Sequence, residues 1–254
     1  MTNKKLALVA FLHGLILAFG VSTYLDYRYE KELYESMAQR FKDPQGNNRK
    51  TFENLVQGTF DIQFYLAKKI ALTEDEISPI FLFRSGDKQL LDGIGACGNY
   101  SHVLAELCQA AGFESRIVQL MRNYQFGSHI IVEAKVDGRW AAADALYKII
   151  YYNQDSSLAS LEQVQAQGLN LTQIPKGYPY SSDYSNYRYT NWQKIPFLMP
   201  MLRRFLVAIK GDAWVSTLCL RSYFLNFHQF NLVVFSIMYV ILMVITVLIA
   251  LKRI

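Results

Sequence analysis

The chain has 254 residues, of which 52% are apolar, and carries a formal net charge of +5. This length is sufficient for one medium-sized domain plus additional elements. No cluster of Lys and Arg coincides with a nucleic-acid-binding motif, so we interpret the charge as solvated surface plus membrane-flanking residues and expect no nucleic acid partner.

Two long apolar runs lie near the ends of the chain, at Leu6 to Leu25 and Leu232 to Leu251. Each is long enough to cross a bilayer core of about 30 Å as a helix. The first run could instead be a signal peptide, but its apolar core is long and its small-residue site is poor, which favours a retained anchor. We therefore predict transmembrane segments at 1–25 and 231–254, with the lipid bilayer as a partner.

Basic residues flank the outer ends of both predicted spans. Lys4 and Lys5 precede the first span, and Lys252 and Arg253 follow the second. The positive-inside rule places both pairs in the cytoplasm and residues 26–230 outside. The sequence thus predicts an integral protein of a bacterial inner membrane whose soluble domain faces the periplasm.

Residues 26–192 are predicted to form an α+β domain, followed by juxtamembrane interfacial helices over 193–230. Helical spacing of apolar residues predicts helices at Asp26–Phe41, Lys50–Leu72, Cys97–Ala111 and Leu158–Gln167. Alternating patterns predict strands at Ser115–Met121, His129–Val136 and Arg139–Tyr147. The stretch from Gly177 to Trp192 is predicted to be a Tyr-rich loop.

The dipeptide Asp137-Gly138 is a strong signal for a tight hairpin turn. In a two-residue turn Ile131 lies opposite Asp144, so Asp144 is a diagonal neighbour of His129 on the same face. The alternate positions are apolar and form a surface suited to packing on a core. The pattern therefore predicts one packed face and one face that presents a His beside a carboxylate.

Cys97 lies between glycines in "GIGACGNYSHVLAEL", where a helical pattern begins. A helix N-terminus stabilises a thiolate, which is the reactive form of cysteine, although an isolated Cys is more often a buried small hydrophobe. With the hairpin, a triad forms in which Cys97 attacks an acyl carbon, His129 carries the proton and Asp144 orients the imidazole. Cys108 is expected to be a packing residue, and no disulfide framework is indicated.

The segments "GACGNYSHVLAELCQAAGFESRIV" and "GSHIIVEAKVDGRWAAAD" resemble the transglutaminase-like superfamily. The resemblance spans Leu91 to Tyr147. It implies a papain-like α+β fold, with a Cys-bearing helix packed on an antiparallel sheet, and acyl transfer on amides or esters. Carried over to this sequence, Cys97 is the nucleophile, His129 the base and Asp144 the orienting acid.

These observations favour a membrane-anchored cysteine hydrolase or acyltransferase that acts on a peptide or other acyl substrate near the membrane. Hydrolysis is preferred, because nothing indicates a pocket for an acceptor amine. No cofactor is expected, and the spacing of His and Cys matches no metal site. The alternative is a non-catalytic subunit of this fold that binds other membrane proteins in an envelope complex.

Overall fold

The computed structural model describes residues 3–69, 86–87, 90, 97–122, 126–167 and 183–251. The chain divides into two compact units, one formed by Met1–Leu33 with Asn226–Ile254 and the other by Tyr34–Leu225. Gly93 and Gly95, which contributed to the prediction for Cys97, lie outside the described residues.

The first unit contains most of helix α1 (Asn3–Phe41) and all of helix α7 (Phe227–Leu251). Within the described residues, these two helices are long and apolar enough to cross a membrane. His13 Nε2 lies 3.1 Å from Thr246 Oγ1, and the rings of Phe19 and Phe235 stack. Because the partner numbers rise along α1 and fall along α7, the two helices run antiparallel.

The second unit is an α+β domain built around a five-stranded sheet in the order β4-β3-β2-β1-β5, with every pairing antiparallel. The strands are β1 (Ser115–Arg122), β2 (Phe126–Val136), β3 (Arg139–Asp144), β4 (Ile149–Ile150) and β5 (Asp183–Arg188). Its helices are α2 (Asn48–Lys69), α3 (Cys97–Ala111), α4 (Leu161–Gln167), α5 (Leu198–Lys210), α6 (Asp212–Thr217) and a 3₁₀ helix (Leu220–Phe224). The predicted fold class is confirmed.

The hairpin between β2 and β3 has the predicted register. Asp137 and Gly138 adopt φ values of 50° and 79°, as a type I′ turn requires, and Val136 pairs with Arg139. The ladder continues to Val132 and Ala143, which places Ile131 across from Asp144. This register places Asp144, at the end of β3, close to the imidazole of His129 on β2.

Both faces of the sheet are covered, the predicted packed face and also the face predicted to present the His beside a carboxylate. Helix α3 covers the face of Ile130, where Ser101 Oγ donates to the Ile130 carbonyl at 2.9 Å. On the opposite face Ile131 joins a buried cluster with Leu161 and Tyr151. The residues after β3 turn back as β4 and lead into α4, and this return covers the face of Ile131.

The predicted Tyr-rich loop is partly wrong, because residues 183–188 form β5 and pair with β1. Tyrosine favours strands when a ring can pack on a neighbour, and Tyr184 is buried with its hydroxyl 2.8 Å from that of Tyr151. The earlier part of the predicted loop, 177–182, lies outside the described residues. The composition of this stretch is typical of a loop, so it did not indicate the edge strand β5.

The segment after β5 contains two different kinds of helix. Helix α5 has no buried residue, and Phe197 just before it is 90% exposed. Farther along, Val215, Leu218 and Cys219 are buried in the domain. The Cys219 thiol donates to the Ile117 carbonyl at 3.3 Å, so the 3₁₀ helix that follows is held against β1.

Candidate functional site

Cys97 is the first residue of α3, as the sequence predicts, and its side chain is partly exposed. The first N–H groups of a helix have no partner within that helix, and the macrodipole makes this end positive. A thiolate and a developing oxyanion are both stabilised in such a position. The helix ends where Gly112 adopts a φ of 98°, a conformation that favours glycine.

The first turn of α3 is fixed to its neighbours on two sides. Ser101 bonds the carbonyl of Ile130, the residue directly after His129. Asn99 Nδ2 donates to the buried Gln63 Oε1 at 2.8 Å, and Gln63 Nε2 donates to the Leu90 carbonyl at 3.1 Å. These bonds determine where the sulfur at the start of α3 lies relative to β2.

His129 and Asp144 form a buried pair at the sheet end of the site. His129 Nε2 lies 2.5 Å from Asp144 Oδ2, and the two residues are 1% and 0% exposed. Asp144 Oδ1 accepts the backbone N–H of Leu146 at 3.0 Å. The turn after β3 therefore binds Asp144 Oδ1, and this contact holds Asp144 Oδ2 against the His129 ring.

The electrostatics of His129 connect all three residues predicted for the site. Burial acts to lower the pKa of His129, but its interactions with Asp144 and Cys97 outweigh it and raise the pKa to about 9. The structure thus brings Cys97, His129 and Asp144 together, with a charged imidazole at neutral pH.

Tyr147 is a neighbour of the site that the sequence analysis missed. Its ring lies edge-on to the His129 imidazole, with ring centroids 6.2 Å apart. Tyr147 belongs to the turn after β3, where the sequence predicted a longer strand. The position could have been found from its place opposite the start of β2 in the hairpin register.

His102 and Cys108 lie in structural surroundings within α3. His102 is 4% exposed beside Glu106, and burial together with the charge of Arg221 lowers its pKa to about 3. Cys108 is fully buried, and burial raises the pKa of its thiol. Both side chains are therefore uncharged at neutral pH.

Arg221 on the 3₁₀ helix also belongs to the electrostatic surroundings of Cys97. Burial lowers the pKa of its guanidinium, whereas Cys219 and Cys97 raise it. Solvent still reaches the residue, which is exposed. No local pattern around Arg221 indicates this position, because it depends on how the segment after β5 returns to the domain.

A second buried carboxylate, Glu133, lies on β2 like His129 but makes its contacts away from Cys97. Arg116 bonds Glu133 Oε2 through both Nε and Nη2 at 2.9 Å, and Tyr189 donates to the same oxygen at 2.8 Å. The backbone N–H of Leu161 donates to Oε1 at 2.8 Å. This carboxylate links β1, β2 and the start of α4 and has a scaffolding role.

The fold and the site define an α+β domain in which a helix-initiating cysteine meets a His–Asp pair on a hairpin. Residues 35–145 match the model of the transglutaminase-like superfamily core, so this segment is a transglutaminase-like domain. No significant match exists among curated proteins or among solved structures.

Proposed function

We propose that this chain is a membrane-anchored cysteine hydrolase or acyltransferase that cleaves an amide or ester through Cys97, His129 and Asp144. The observation that carries the proposal is the buried His129–Asp144 pair, whose imidazole interacts electrostatically with Cys97 at the start of α3. A buried packing cysteine does not need an oriented imidazole beside its sulfur.

In the proposed reaction, the Cys97 sulfur attacks the acyl carbon and forms an S–C bond. The electron pair of the carbonyl moves to its oxygen, which lies near the N-terminal N–H groups of α3. As the tetrahedral intermediate collapses, His129 gives its proton to the leaving amine or alkoxide, and a thioester remains on Cys97.

The neutral His129 then takes a proton from water or from an acceptor amine, which attacks the thioester. The C–S bond breaks, the carboxylic acid or new amide leaves, and the sulfur again faces an imidazolium. Asp144 holds the ring in one orientation throughout and stabilises its positive form. Water is the acceptor in our proposal.

The two apolar helices provide the anchor in this proposal, with residues 26–230 in the periplasm of a bacterium and the acyl substrate near the membrane. Helix α5 supports an interfacial placement of the 193–230 segment. Its exposed Leu198, Met201, Phe205 and Ile209 share one face. A helix with an exposed apolar face and basic residues elsewhere on its surface binds the interface of a bilayer.

The test uses full-length protein in detergent with 4-nitrophenyl acetate, an activated ester that needs no knowledge of the natural substrate. We expect nitrophenolate release and an acetyl group on Cys97, located by mass spectrometry. The Cys97→Ala variant should lack both, and buried Cys108 serves as an internal control for unspecific acylation.

Turnover after the first acetylation supports hydrolysis, and faster release with added glycine supports transfer. If Cys97 acquires no more acetyl group than Cys108, the enzymatic proposal fails. The non-catalytic subunit then becomes the better interpretation, because the fold and the anchor remain without the chemistry.

A further inference from the structure

We propose that one side of α5 binds an anionic phospholipid surface, through exposed apolar side chains that enter the lipid and basic side chains that contact the headgroups. This proposal rests on the membrane anchor of the proposed function and names the class of lipid that α5 recognises. It does not depend on the chemistry at Cys97.

Helix α5 has two different sides, because its exposed and its partly buried residues each recur at helical spacing. The partly buried residues share the side along which the helix packs, and they are Met199, Leu202, Arg203, Leu206 and Val207. Arg203 also forms an ion pair with Asp212 of α6. The exposed apolar residues lie on the adjacent side, which we call the outer side of α5, and are open to solvent.

The outer side is a continuous apolar surface. Leu198, Met201, Phe205 and Ile209 lie on it and are between 53% and 65% exposed. Phe197, just before the helix, is 90% exposed and has a φ of 64°, a conformation that is strained for a bulky residue. Strain at an exposed ring contributes nothing to the packing of the chain and is typical of a position that binds a partner.

The charges of α5 fit an anionic surface. The helix contains three basic residues and no acidic residue. At about 100° per residue, Arg204 and Lys210 lie on opposite flanks of the outer side, and both are exposed. Long basic side chains at such flanks extend their charged ends to the headgroup layer while the apolar residues between them enter the lipid.

A bilayer is the partner that the proposed anchor brings close to α5. The apolar helix α7 begins at Phe227, seventeen residues after Lys210, and is long and apolar enough to cross a membrane. The connection between them limits how far α5 can lie from the lipid. Binding of α5 to the surface is then intramolecular, so a few apolar and basic side chains are sufficient.

The test measures amide hydrogen exchange in full-length protein by mass spectrometry, in nanodiscs of phosphatidylcholine and in nanodiscs with about a quarter phosphatidylglycerol. The measured quantity is the ratio of the exchange rate of the α5 amides in neutral discs to the rate in anionic discs. We expect a ratio above one in wild type, because lipid contact slows local opening of the helix. Added salt should reduce the ratio, since it screens charges at an exposed surface.

We expect Arg204→Gln combined with Lys210→Gln to lower the ratio by up to about thirtyfold at low salt, since each basic residue near an anionic surface strengthens binding about fivefold. Lys50→Gln combined with Lys135→Gln removes the same charge from exposed positions on α2 and β2. This pair is the matched control and should keep the ratio of wild type. The α7 amides should exchange slowly in every disc.

A wild-type ratio of one overturns the inference, and so does an equal decrease in the control pair, which would indicate only overall charge. Slow exchange of α5 only in discs that hold two copies also overturns it, because the partner is then a second copy of the chain. Rapid exchange throughout α7 contradicts the membrane anchor itself. A ratio above one that depends on Arg204 and Lys210 supports lipid binding, even in protein that releases no nitrophenolate and so fails as an enzyme.

Discussion

The contact between Asp144 and His129 predicts a measurable loss of sulfur reactivity in Asp144→Asn. The asparagine keeps the size of the side chain but removes the charge that stabilises the imidazolium. A pKa of about 9 in place of the ordinary 6.5 corresponds to about 3 kcal/mol in favour of the charged ring. Cys97 contributes to this shift, and Asp144 is the largest of the groups that raise the pKa.

The size of the effect follows from the fraction of charged ring. At pH 7.5, a group with a pKa of about 9 is about 97% protonated, and one with a pKa near 6.5 is about 10% protonated. Because the imidazolium stabilises the neighbouring thiolate, we expect alkylation of Cys97 by iodoacetamide at pH 7.5 to slow about tenfold. As the pH rises through about 9 the rates should approach each other, since the ring loses its charge in wild type as well.

The assay measures the rate at Cys97 from pH 5 to 10 in wild type, in Asp144→Asn and in Glu106→Gln. The last variant is a matched control, because Glu106 is also a largely buried carboxylate beside a histidine, His102. Rates within twofold of each other at pH 7.5 for wild type and Asp144→Asn would refute the reasoning. An equal loss in Glu106→Gln would attribute the effect to general destabilisation.

The same shift predicts how the stability of wild type depends on pH. A pKa that is higher in the folded state contributes stability that is fully present below about pH 6.5 and is lost as the pH rises through about 9. The free energy of unfolding should therefore fall over this window in wild type. In Asp144→Asn the fall should be smaller, as measured by urea unfolding at fixed pH values.

Two further predictions concern the scaffold and the anchor. Glu133→Leu leaves the partly buried Arg116 without its carboxylate and should cost about 3–5 kcal/mol in urea unfolding, whereas Glu114→Gln, which removes an exposed ion pair, should cost under about 1 kcal/mol. In vesicles with brominated lipid, a tryptophan introduced by Phe205→Trp on the apolar face of α5 should be quenched more strongly than one introduced by Arg204→Trp; equal quenching would contradict the interfacial placement.

Local patterns were sufficient to predict the elements that carry the site. The start of α3 at Cys97 and the turn at Asp137-Gly138 are each determined by a few adjacent residues. Because side chains alternate along a strand, the turn alone fixed which acid lies near His129. The bounds of β3 were less accurate, since the chain leaves the sheet at Asp144 to form a turn whose first N–H bonds that carboxylate.

Features that depend on distant parts of the chain could not be predicted in this way. Strand β5 pairs with β1 from more than sixty residues away, and its tyrosines have a loop-like composition until Tyr184 packs on Tyr151. Arg221 reaches the surroundings of Cys97 only because Cys219 and Gln109 hold its helix against the domain. Such contacts are set by tertiary packing, which the periodicity of one segment does not encode.

The two buried carboxylates of the sheet illustrate why the His–Asp pair indicates chemistry. Glu133 accepts four hydrogen bonds from three separate parts of the chain, so its charge is balanced in a way that supports the fold. Asp144 instead holds one imidazole, which interacts electrostatically with the partly exposed Cys97. Burying such a pair costs desolvation energy that an apolar pair would avoid. The fold tolerates that cost for a charged ring that interacts with the cysteine at the start of α3.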